Sequence, residues 1–255
     1  MNIRIGTSGY SFEDWRGNFY PGQIQKGKML DHYQAYFNTV EINSTYYRIP
    51  HPVVMYNIVK KTKPDFEFIV KANKNLTHER QDFEKPAIQF LESVRPIADR
   101  GQLKGILAQF PWSFKYTQNN LGYLHTCRDL MRPYPLYIEF RHDSWLRKEM
   151  VELLSKDETH FVSVDGPRLQ GLLPPRLITT TDSAYIRLHG RNAKEWWDGG
   201  PLRYDYLYNK NELREWKEKL ENVKSNVQKA FIFFNNCHLG QAVKNARQMM
   251  QYLDL

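Results

Sequence analysis

The sequence predicts an α/β protein with a (β/α)8 barrel fold, also called a TIM barrel, and three observations lead to that prediction. Eight short β-like runs follow one another along the 255 residues. They are spaced too widely for hairpins, and segments with helical periodicity lie between them. Strand alternating with helix is typical of a parallel sheet, and eight such units in a chain of this length match the barrel. We therefore expect a single domain over residues 1–255, with an open doubly wound sheet as the structural alternative.

The predicted strands are short runs rich in β-branched, aliphatic and aromatic residues. In chain order they span Asn2–Gly6, Thr39–Asn43, Phe66–Lys71, Gly105–Phe110, Leu136–Arg141, His160–Asp165, Ala184–His189 and Phe231–Asn236. Two intervening segments, Lys28–Asn38 and Asn211–Val223, carry apolar side chains at helical spacing. Pro52 is typical of a first helical turn, and Asn209 and Asn211 are typical of residues that mark the start of a helix. No G-x-G-x-x-G motif follows the first strand, which disfavours the doubly wound sheet.

Two connections are long for a compact domain and rich in aromatic residues. Residues 7–27 follow the first strand, and residues 191–208 follow the seventh. Their aromatic residues are Tyr10, Phe12, Trp15, Phe19, Tyr20, Trp196, Trp197, Tyr204, Tyr206 and Tyr208. Long loops of this kind are usually functional, and loops that follow the strands of a barrel lie on its carboxyl-terminal face. We expect both loops to wall a binding site there.

Charged and polar residues occupy the ends of the predicted strands. Side chains alternate across a strand, so the apolar face should meet the helices while the other face points into the barrel. This alternation places Glu41 of TVEIN and both Arg187 and His189 of AYIRLH inside. The other polar strand ends are Lys71, Gln109, Glu139, Arg141, Asp165 and either Asn235 or Asn236. We expect these side chains to converge at the carboxyl-terminal mouth of the barrel.

Such a cluster has a structural interpretation as well as a functional one. Charges in a partly desolvated mouth are costly unless they pair with each other or meet a ligand. The arginines could simply pair with the glutamates, His189 could be a hydrogen-bonded core residue, and the aromatic loops could only cover the core. Lys71 is harder to explain in this way, because an inward lysine suits an anion site, a Schiff base or a base with a shifted pKa.

Composition narrows the class of protein. The 36 Lys and Arg exceed the 28 Asp and Glu, and the net charge of +8 favours anionic partners. Cys127 and Cys237 form neither a disulfide framework nor a metal-binding spacing, which suits a reducing cytoplasm. No targeting segment and no membrane span is predicted. The pattern says nothing about oligomeric state.

Several motifs resemble those of a known family. The runs IGTSGYSFEDWRGNFYP, YFNTVEINSTYYRIP, FIVKANKNLTH, LAQFPWSF, EFRHDSW, YIRLHGRNAKEWW and FFNNCHLGQAVKNA occur in this order and cover nearly the whole chain. They resemble the domain of unknown function 72 (YecE-like) family. The resemblance implies a TIM barrel and supplies no reaction, because no activity is established for that family. The signature residues that it implies here include Gly6, Thr45, Thr77, Pro111, Ser144 and Gly190 besides most of the candidate residues given below.

We predict an enzyme, a hydrolase, lyase or isomerase, that uses acid and base residues on a phosphate- or carboxylate-bearing substrate. Arg187, Arg141 and Lys71 would hold the anion, helped by backbone N–H groups of the GTSG turn at residues 6–9. The predicted catalytic residues are Glu41, Lys71, Glu139, Asp165 and His189. The predicted substrate-binding residues are Thr7, Ser8, Gly9, Tyr10, Trp15, Asn43, Tyr47, His78, Gln109, Arg141, Trp145, Arg187, Arg191, Trp196, Trp197, Tyr204, Asn235 and Asn236.

Other functions stay open at this point. Basic and aromatic residues interleave in RNAKEWWDGGPLRYDYLY, which could bind nucleic acid. The same pocket could also serve a non-catalytic ligand sensor. Glu41 and Glu139 are the one obvious inward pair of glutamates for a glycosidase. The cofactor is unknown: two carboxylates with a histidine permit a divalent metal, but their spacing does not indicate one.

Overall fold

The computed structural model describes residues 1–255 and contains eight parallel strands that close into a barrel. The strands are β1 (Asn2–Thr7), β2 (Thr39–Ile42), β3 (Glu67–Lys71), β4 (Leu103–Gln109), β5 (Leu136–Glu139), β6 (His160–Asp165), β7 (Ser183–Leu188) and β8 (Lys229–Phe234). Each strand pairs in parallel with its neighbours in the order β1-β8-β7-β6-β5-β4-β3-β2. A parallel bridge between Ser8 and Glu41 brings the two end strands together. The predicted (β/α)8 barrel is confirmed.

Helices surround this barrel. They are α1 (Met29–Tyr33), α2 (Ser44–Tyr47), α3 (Pro52–Lys60), α4 (Glu84–Asp99), α5 (Gln118–Met131), α6 (Lys148–Lys156), α7 (Lys210–Val223) and α8 (Gln241–Tyr252). Pro52 is the first residue of α3, and Asn209 caps α7 in a capping box with Glu212, as their sequence positions indicate. The alternation is imperfect, because two helices follow β2 and no helix lies in residues 166–182 between β6 and β7. No helix combines the length and the apolar character that a membrane span needs.

Seven of the eight strands differ from the prediction at one end or both, and the differences at β5, β7 and β8 bear most on the polar residues. β5 ends at Glu139 and β7 ends at Leu188, so Arg141 and His189 lie just past the last ladder residues. β8 runs from Lys229 to Phe234, so both asparagines of the FFNN motif follow the strand. Arg141, His189, Asn235 and Asn236 therefore stand in the loops at the mouth, whereas Glu139 and Arg187 remain in their strands.

The barrel interior is layered. At its amino-terminal end Glu67 pairs with Arg4 at 3.3 Å and with Lys229 at 2.6 Å. An aromatic layer follows, in which the Tyr185 ring lies edge-on to Tyr137 with centroids 4.9 Å apart. Charged residues form the layer above it, toward the mouth. The aromatic layer separates the two charged layers, so ligands can reach the upper one only from the carboxyl-terminal face.

The seam between β1 and β2 is closed by a side chain as well as by backbone. The Thr7 N–H donates to the Tyr33 hydroxyl at 3.0 Å, and that hydroxyl donates to the Thr39 carbonyl at 3.1 Å. Gly6 permits this arrangement, because a Cβ at that position would lie 2.4 Å from the Thr39 oxygen. The signature glycine of the first strand therefore serves the closure of the barrel.

Candidate active site

A buried ion-pair network forms the floor of the barrel mouth. Arg187 of β7 donates from Nε to Glu41 Oε2 at 2.8 Å and from Nη2 to Glu41 Oε1 at 2.6 Å. Its Nη1 donates to Glu139 Oε2 at 2.6 Å. The Tyr185 hydroxyl donates to Glu41 as well. The arginine and both glutamates are at most 1% exposed, so one guanidinium joins two carboxylates from opposite parts of the barrel.

The second oxygen of Glu139 faces two further groups. Arg141 Nε lies 2.5 Å from Glu139 Oε1, and His189 Nε2 lies 3.3 Å from it. Neither N–H is aligned well enough for a hydrogen bond, so both contacts are electrostatic. Arg141 and Arg187 hold the pKa of Glu139 well below its usual value, although burial opposes them. Glu139 is therefore a permanent anion and a poor proton donor.

His189 is neutral in this environment. Burial and the nearby Arg141 lower its pKa to about 3. Asn235 places its amide nitrogen 2.9 Å from Nδ1, which assigns the ring proton to Nε2, on the side of Glu139. The histidine is thus a neutral ring held in place by Asn235, with its N–H directed toward Glu139.

Lys71 ends β3 on the same inner face, and its surroundings differ from those of the arginines. Its Nζ donates to the neutral Gln109 Oε1 at 2.8 Å and lies 4.4 Å from the centroid of the Tyr46 ring. No carboxylate oxygen forms an ion pair with it within 4.0 Å. Burial, and then the charge of Arg187, lower the pKa of Lys71 to about 7. The lysine is thus a cation without an anion of its own.

Two adjoining cavities open above this floor. The first chamber, of about 380 Å³, is lined among others by Ser8, Gly9, Tyr10, Asn43, Arg187 and Asn235. The second chamber, of about 290 Å³, is lined among others by His78, Gln109, Trp112, Trp196, Trp197 and Arg203. Both chambers share Tyr46, Tyr47, Lys71, Arg141 and Tyr204. Lys71 and Arg141 are thus the charged groups that a ligand in either chamber can reach.

Three of the predicted catalytic residues lie behind the chamber walls. Glu41, Glu139 and His189 are at most 1% exposed, and none of them lines either chamber. The cause is the pairing with Arg187, which covers both carboxylates from above. This geometry also disfavours the glycosidase interpretation, since both glutamates are tied to a single guanidinium.

The prediction that Asp165 joins this cluster is wrong. Asp165 points outward from β6 and accepts hydrogen bonds from Arg191 at 2.8 Å, from Trp216 Nε1 of α7 at 2.6 Å and from the Tyr208 hydroxyl at 3.0 Å. The face of β6 opposite Asp165 carries Val162, and no polar residue of β6 enters the mouth. Asp165 and Arg191 therefore anchor the loop after β7 to α7.

Other predicted binding residues also have structural positions. The Trp15 indole N–H donates to the Cys237 carbonyl, and the Trp145 indole N–H donates to the Phe114 carbonyl, each at 2.6 Å. Asn236 points away from the mouth and donates to Asn245 of α8 at 2.9 Å, whereas Asn235 points inward. These placements resolve the ambiguity of the FFNN motif in favour of Asn235.

The GTSG turn offers no free donors at residues 7–9. The N–H of Thr7 bonds to Tyr33, that of Ser8 donates to the Phe234 carbonyl at 3.0 Å, and that of Gly9 to the Thr7 carbonyl at 3.0 Å. The prediction that these groups help to hold an anion is wrong, because the N–H groups of Thr7 and Ser8 close the barrel and that of Gly9 bonds within the turn. Thr7 is fully buried, so only Ser8 and Gly9 of the turn line a chamber.

Two aromatic residues that line the chambers, Tyr46 and Trp112, were not among the predicted site residues. Tyr46, on α2, contacts Lys71 and stacks edge-on against His78 with centroids 5.0 Å apart. Trp112 follows β4 and lies edge-on to Trp197 with centroids 5.4 Å apart. Both are aromatic residues within four residues of a polar strand end, and that proximity is the signal that could have found them.

The fold brings no cluster of metal-ligating side chains together. No group of three or more His, Cys, Asp or Glu side chains comes together in a way that could hold a metal ion. Both cysteines are buried and unpaired, and burial raises the pKa of each thiol. We assign no residue to a metal.

Comparisons with known proteins agree with this architecture. A family model described as "Protein of unknown function DUF72" matches residues 4–255. The chain is 33% identical to the UPF0759 protein YunF of Bacillus subtilis (strain 168), over 99% of this chain and 95% of that protein. Its structure matches that of a DUF72 family protein of Thermotoga maritima MSB8 with a TM-score of 0.92, 41% identity and complete coverage of both chains. A DUF72 family protein of Enterococcus faecalis V583 matches with a TM-score of 0.90 and 27% identity, over 99% of this chain and 96% of that one. The chain therefore belongs to the DUF72 family.

Proposed function

We propose that this protein is an enzyme that binds a small phosphate- or carboxylate-bearing molecule at the barrel mouth and moves a proton on it with Lys71. The observation that carries the proposal is the unbalanced charge of Lys71. Two guanidinium groups, of Arg187 and Arg141, face two carboxylates, of Glu41 and Glu139, and neutralise them. The Lys71 ammonium stands outside this balance, with a neutral amide as its hydrogen-bond partner.

An anionic ligand would complete the charge balance. Buried charges are strongly disfavoured without a partner, so the protonated lysine should favour an anion in either chamber. Arg141 lines both chambers beside Lys71 and would supply a second contact. Asn43 lines the first chamber with a buried Oδ1 that has no hydrogen-bond partner, which suits a ligand hydroxyl or amide donor.

The roles follow from what each group can reach. Lys71 has a pKa near neutrality, which suits a general base or acid at physiological pH. Glu41 and Glu139 act as counter-ions that fix the guanidinium groups, since they lie behind the walls. A proton-transfer role for Lys71 is compatible with hydrolase, lyase and isomerase chemistry.

Calorimetric titration with inorganic phosphate and with acetate tests the anion site. At pH 7 we expect saturable binding that Lys71→Met weakens at least tenfold. Lys74→Met is the matched control, because Lys74 is partly exposed and already pairs with Glu79 at 2.6 Å. If neither anion binds, or if Lys71→Met binds them as well as the unaltered protein does, the site is not an anion site.

The two alternative functions, a ligand sensor and a nucleic-acid-binding protein, predict different results in binding and turnover measurements. Tight binding without turnover of any phosphate ester or carboxylate would favour a ligand sensor. The nucleic-acid interpretation loses Arg191, which is held by Asp165, and the buried Trp196 and Tyr208, and retains the exposed Trp197 and Lys194 of the loop after β7. Oligonucleotide binding that weakens steeply with added salt would favour it instead.

A further inference from the structure

Lys71 stands where the two chambers meet, and its amine is accessible from both. Its Nζ is held at one point by Gln109 Oε1 and lies over the Tyr46 ring. Every other charged group of the floor is locked in an ion pair. Lys71 is therefore the one floor group whose nitrogen has no carboxylate to displace before it can react.

We infer that the Lys71 amine forms a covalent imine with the carbonyl carbon of an anionic oxo compound, an inference that rests on the anion site proposed above. The ligand class is a carbonyl compound that carries a carboxylate or phosphate within a few bonds of the carbonyl. The acidic group would contact Arg141 while the carbonyl carbon lies against Nζ. Both groups line both chambers, so either chamber can accommodate the rest of the molecule.

The state of the amine supports this chemistry. Only a neutral amine attacks a carbonyl, and a pKa of about 7 leaves roughly half of Lys71 neutral at pH 7. A lysine with the ordinary pKa would be neutral in fewer than about one molecule in a thousand. Gln109 is a positioning residue here, because its oxygen orients the amine without carrying charge.

The step balances without an oxidant or reductant. The Nζ lone pair forms a bond to the carbonyl carbon, and the π electrons move to the oxygen, which takes up a proton while the nitrogen releases one of its two protons. The resulting carbinolamine expels its hydroxyl group with one further proton as water, and the nitrogen forms a double bond to the carbon. His78 lines the second chamber and is neutral, because burial lowers its pKa to about 4, so its ring can hydrogen-bond the reacting oxygen while the protons are exchanged with solvent water.

The charge of the floor selects the ligand. A protonated imine keeps the positive charge beside Arg141 and Arg187, so a neutral ketone would leave that charge unbalanced. A carboxylate or phosphate on the same molecule compensates for it. We therefore expect anionic carbonyl compounds to react and neutral ones of similar size to react far less.

Reductive trapping tests the inference. The full-length protein is incubated with sodium cyanoborohydride and with pyruvate, dihydroxyacetone phosphate or acetone, and the products are analysed by intact mass and peptide mapping. We expect an adduct on the Lys71 peptide with at least one anionic probe, at least tenfold above that with acetone. Pyruvate and dihydroxyacetone phosphate separate a carboxylate ligand from a phosphate ligand. Lys71→Arg should lose the adduct, and the matched Lys74→Arg variant should keep it.

Each other outcome has a definite meaning. An adduct spread over surface lysines with none on the Lys71 peptide overturns the inference, and peptide mapping of the unaltered protein decides this even if Lys71→Arg fails to fold. Equal trapping of acetone overturns the anionic assignment. Binding of inorganic phosphate without any Lys71 adduct overturns the imine alone, whereas loss of both overturns the anion site as well.

Discussion

Arg187 and Glu41 face each other across the barrel in a two-point ion pair, with nitrogen–oxygen distances of 2.8 and 2.6 Å and almost no exposure of either side chain. The pair lies between the aromatic layer and the mouth. It fixes the guanidinium plane that forms part of the floor of the first chamber. The geometry of the candidate site thus depends on a carboxylate that lines neither chamber.

Removal of that guanidinium should strongly destabilise the fold. Arg187→Met leaves the carboxylates of Glu41 and Glu139 buried without their main partner, and we expect a loss of about 3–5 kcal/mol in the free energy of unfolding. Urea denaturation measures it. Arg95→Met, which breaks an exposed pair with Asp99, is the control and should change stability by less than about 1 kcal/mol. Equal effects of the two variants would contradict the assigned role.

Lys71 should make stability depend on pH in the alkaline range. Below pH 7 the ammonium is protonated in both the folded and unfolded states, and the folded state bears the full cost of burying it. Between pH 7 and about 10 only the unfolded chain keeps the proton, so rising pH stabilises the folded state by up to about 1.4 kcal/mol per pH unit. Lys71→Met should abolish this slope. Parallel urea titrations of both proteins from pH 6 to pH 10 measure the difference, and identical slopes would refute a lowered pKa.

Anion binding should carry the same proton signature. A bound phosphate favours the charged lysine, so at pH 8 binding should take up protons, and affinity should fall as pH rises through 7. Calorimetry in two buffers of different ionisation enthalpy detects the uptake. Lys71→Met should show none, and a proton uptake that persists in this variant would assign it to another group.

His189 should not titrate near neutral pH. Its pKa of about 3 keeps the ring neutral, with the proton on Nε2. Nitrogen-15 NMR of labelled histidine should show one ring signal with constant shifts between pH 5 and pH 8, and His189→Gln identifies it by its disappearance. A midpoint inside that range would contradict a pKa lowered to about 3 and would show that the ring can take a charge next to Arg141.

Asp165 should prove structural. Asp165→Leu leaves the indole N–H of Trp216 unpaired and Arg191 without its main partner, and we expect a loss of about 3 kcal/mol in the free energy of unfolding. In the folded fraction, phosphate affinity should stay within about twofold of the unaltered protein, because Asp165 lines neither chamber. A selective loss of phosphate binding at unchanged stability would mean that Asp165 is a binding residue and not only a structural one.

Side-chain alternation located most of the polar floor from sequence. It placed Glu41, Lys71 and Arg187 correctly because each lies in a strand whose other face is clearly apolar. It could not place Asp165, since β6 carries apolar residues on both faces and the partner of the carboxylate, Trp216, lies 51 positions further along the chain.

The structural roles of Trp15 and Trp145 could not be predicted from the sequence, for a different reason. Trp15 lies in the aromatic loop after β1 and Trp145 in the loop after β5, and both loops contribute residues to the first chamber, but the two indole N–H groups donate to carbonyls inside the protein. Some aromatic side chains of a long loop must be buried to hold the loop in place, so that others can line a pocket. The alternation of a strand carries no information about that core.

The tyrosine in the seam between β1 and β2 has a consequence for motion. Seven joints of the barrel are backbone ladders, whereas at this joint one phenol hydroxyl stands in for a rung between Thr7 and Thr39. The Tyr33 side chain can rotate away without breaking the backbone pairing of a strand. The joint between β1 and β2 should therefore open locally at a lower free energy than the other seven joints. The Thr7 amide should then exchange with solvent deuterium faster than amides in the middle of β7. The mouth and its first chamber therefore border the joint that we expect to open most readily.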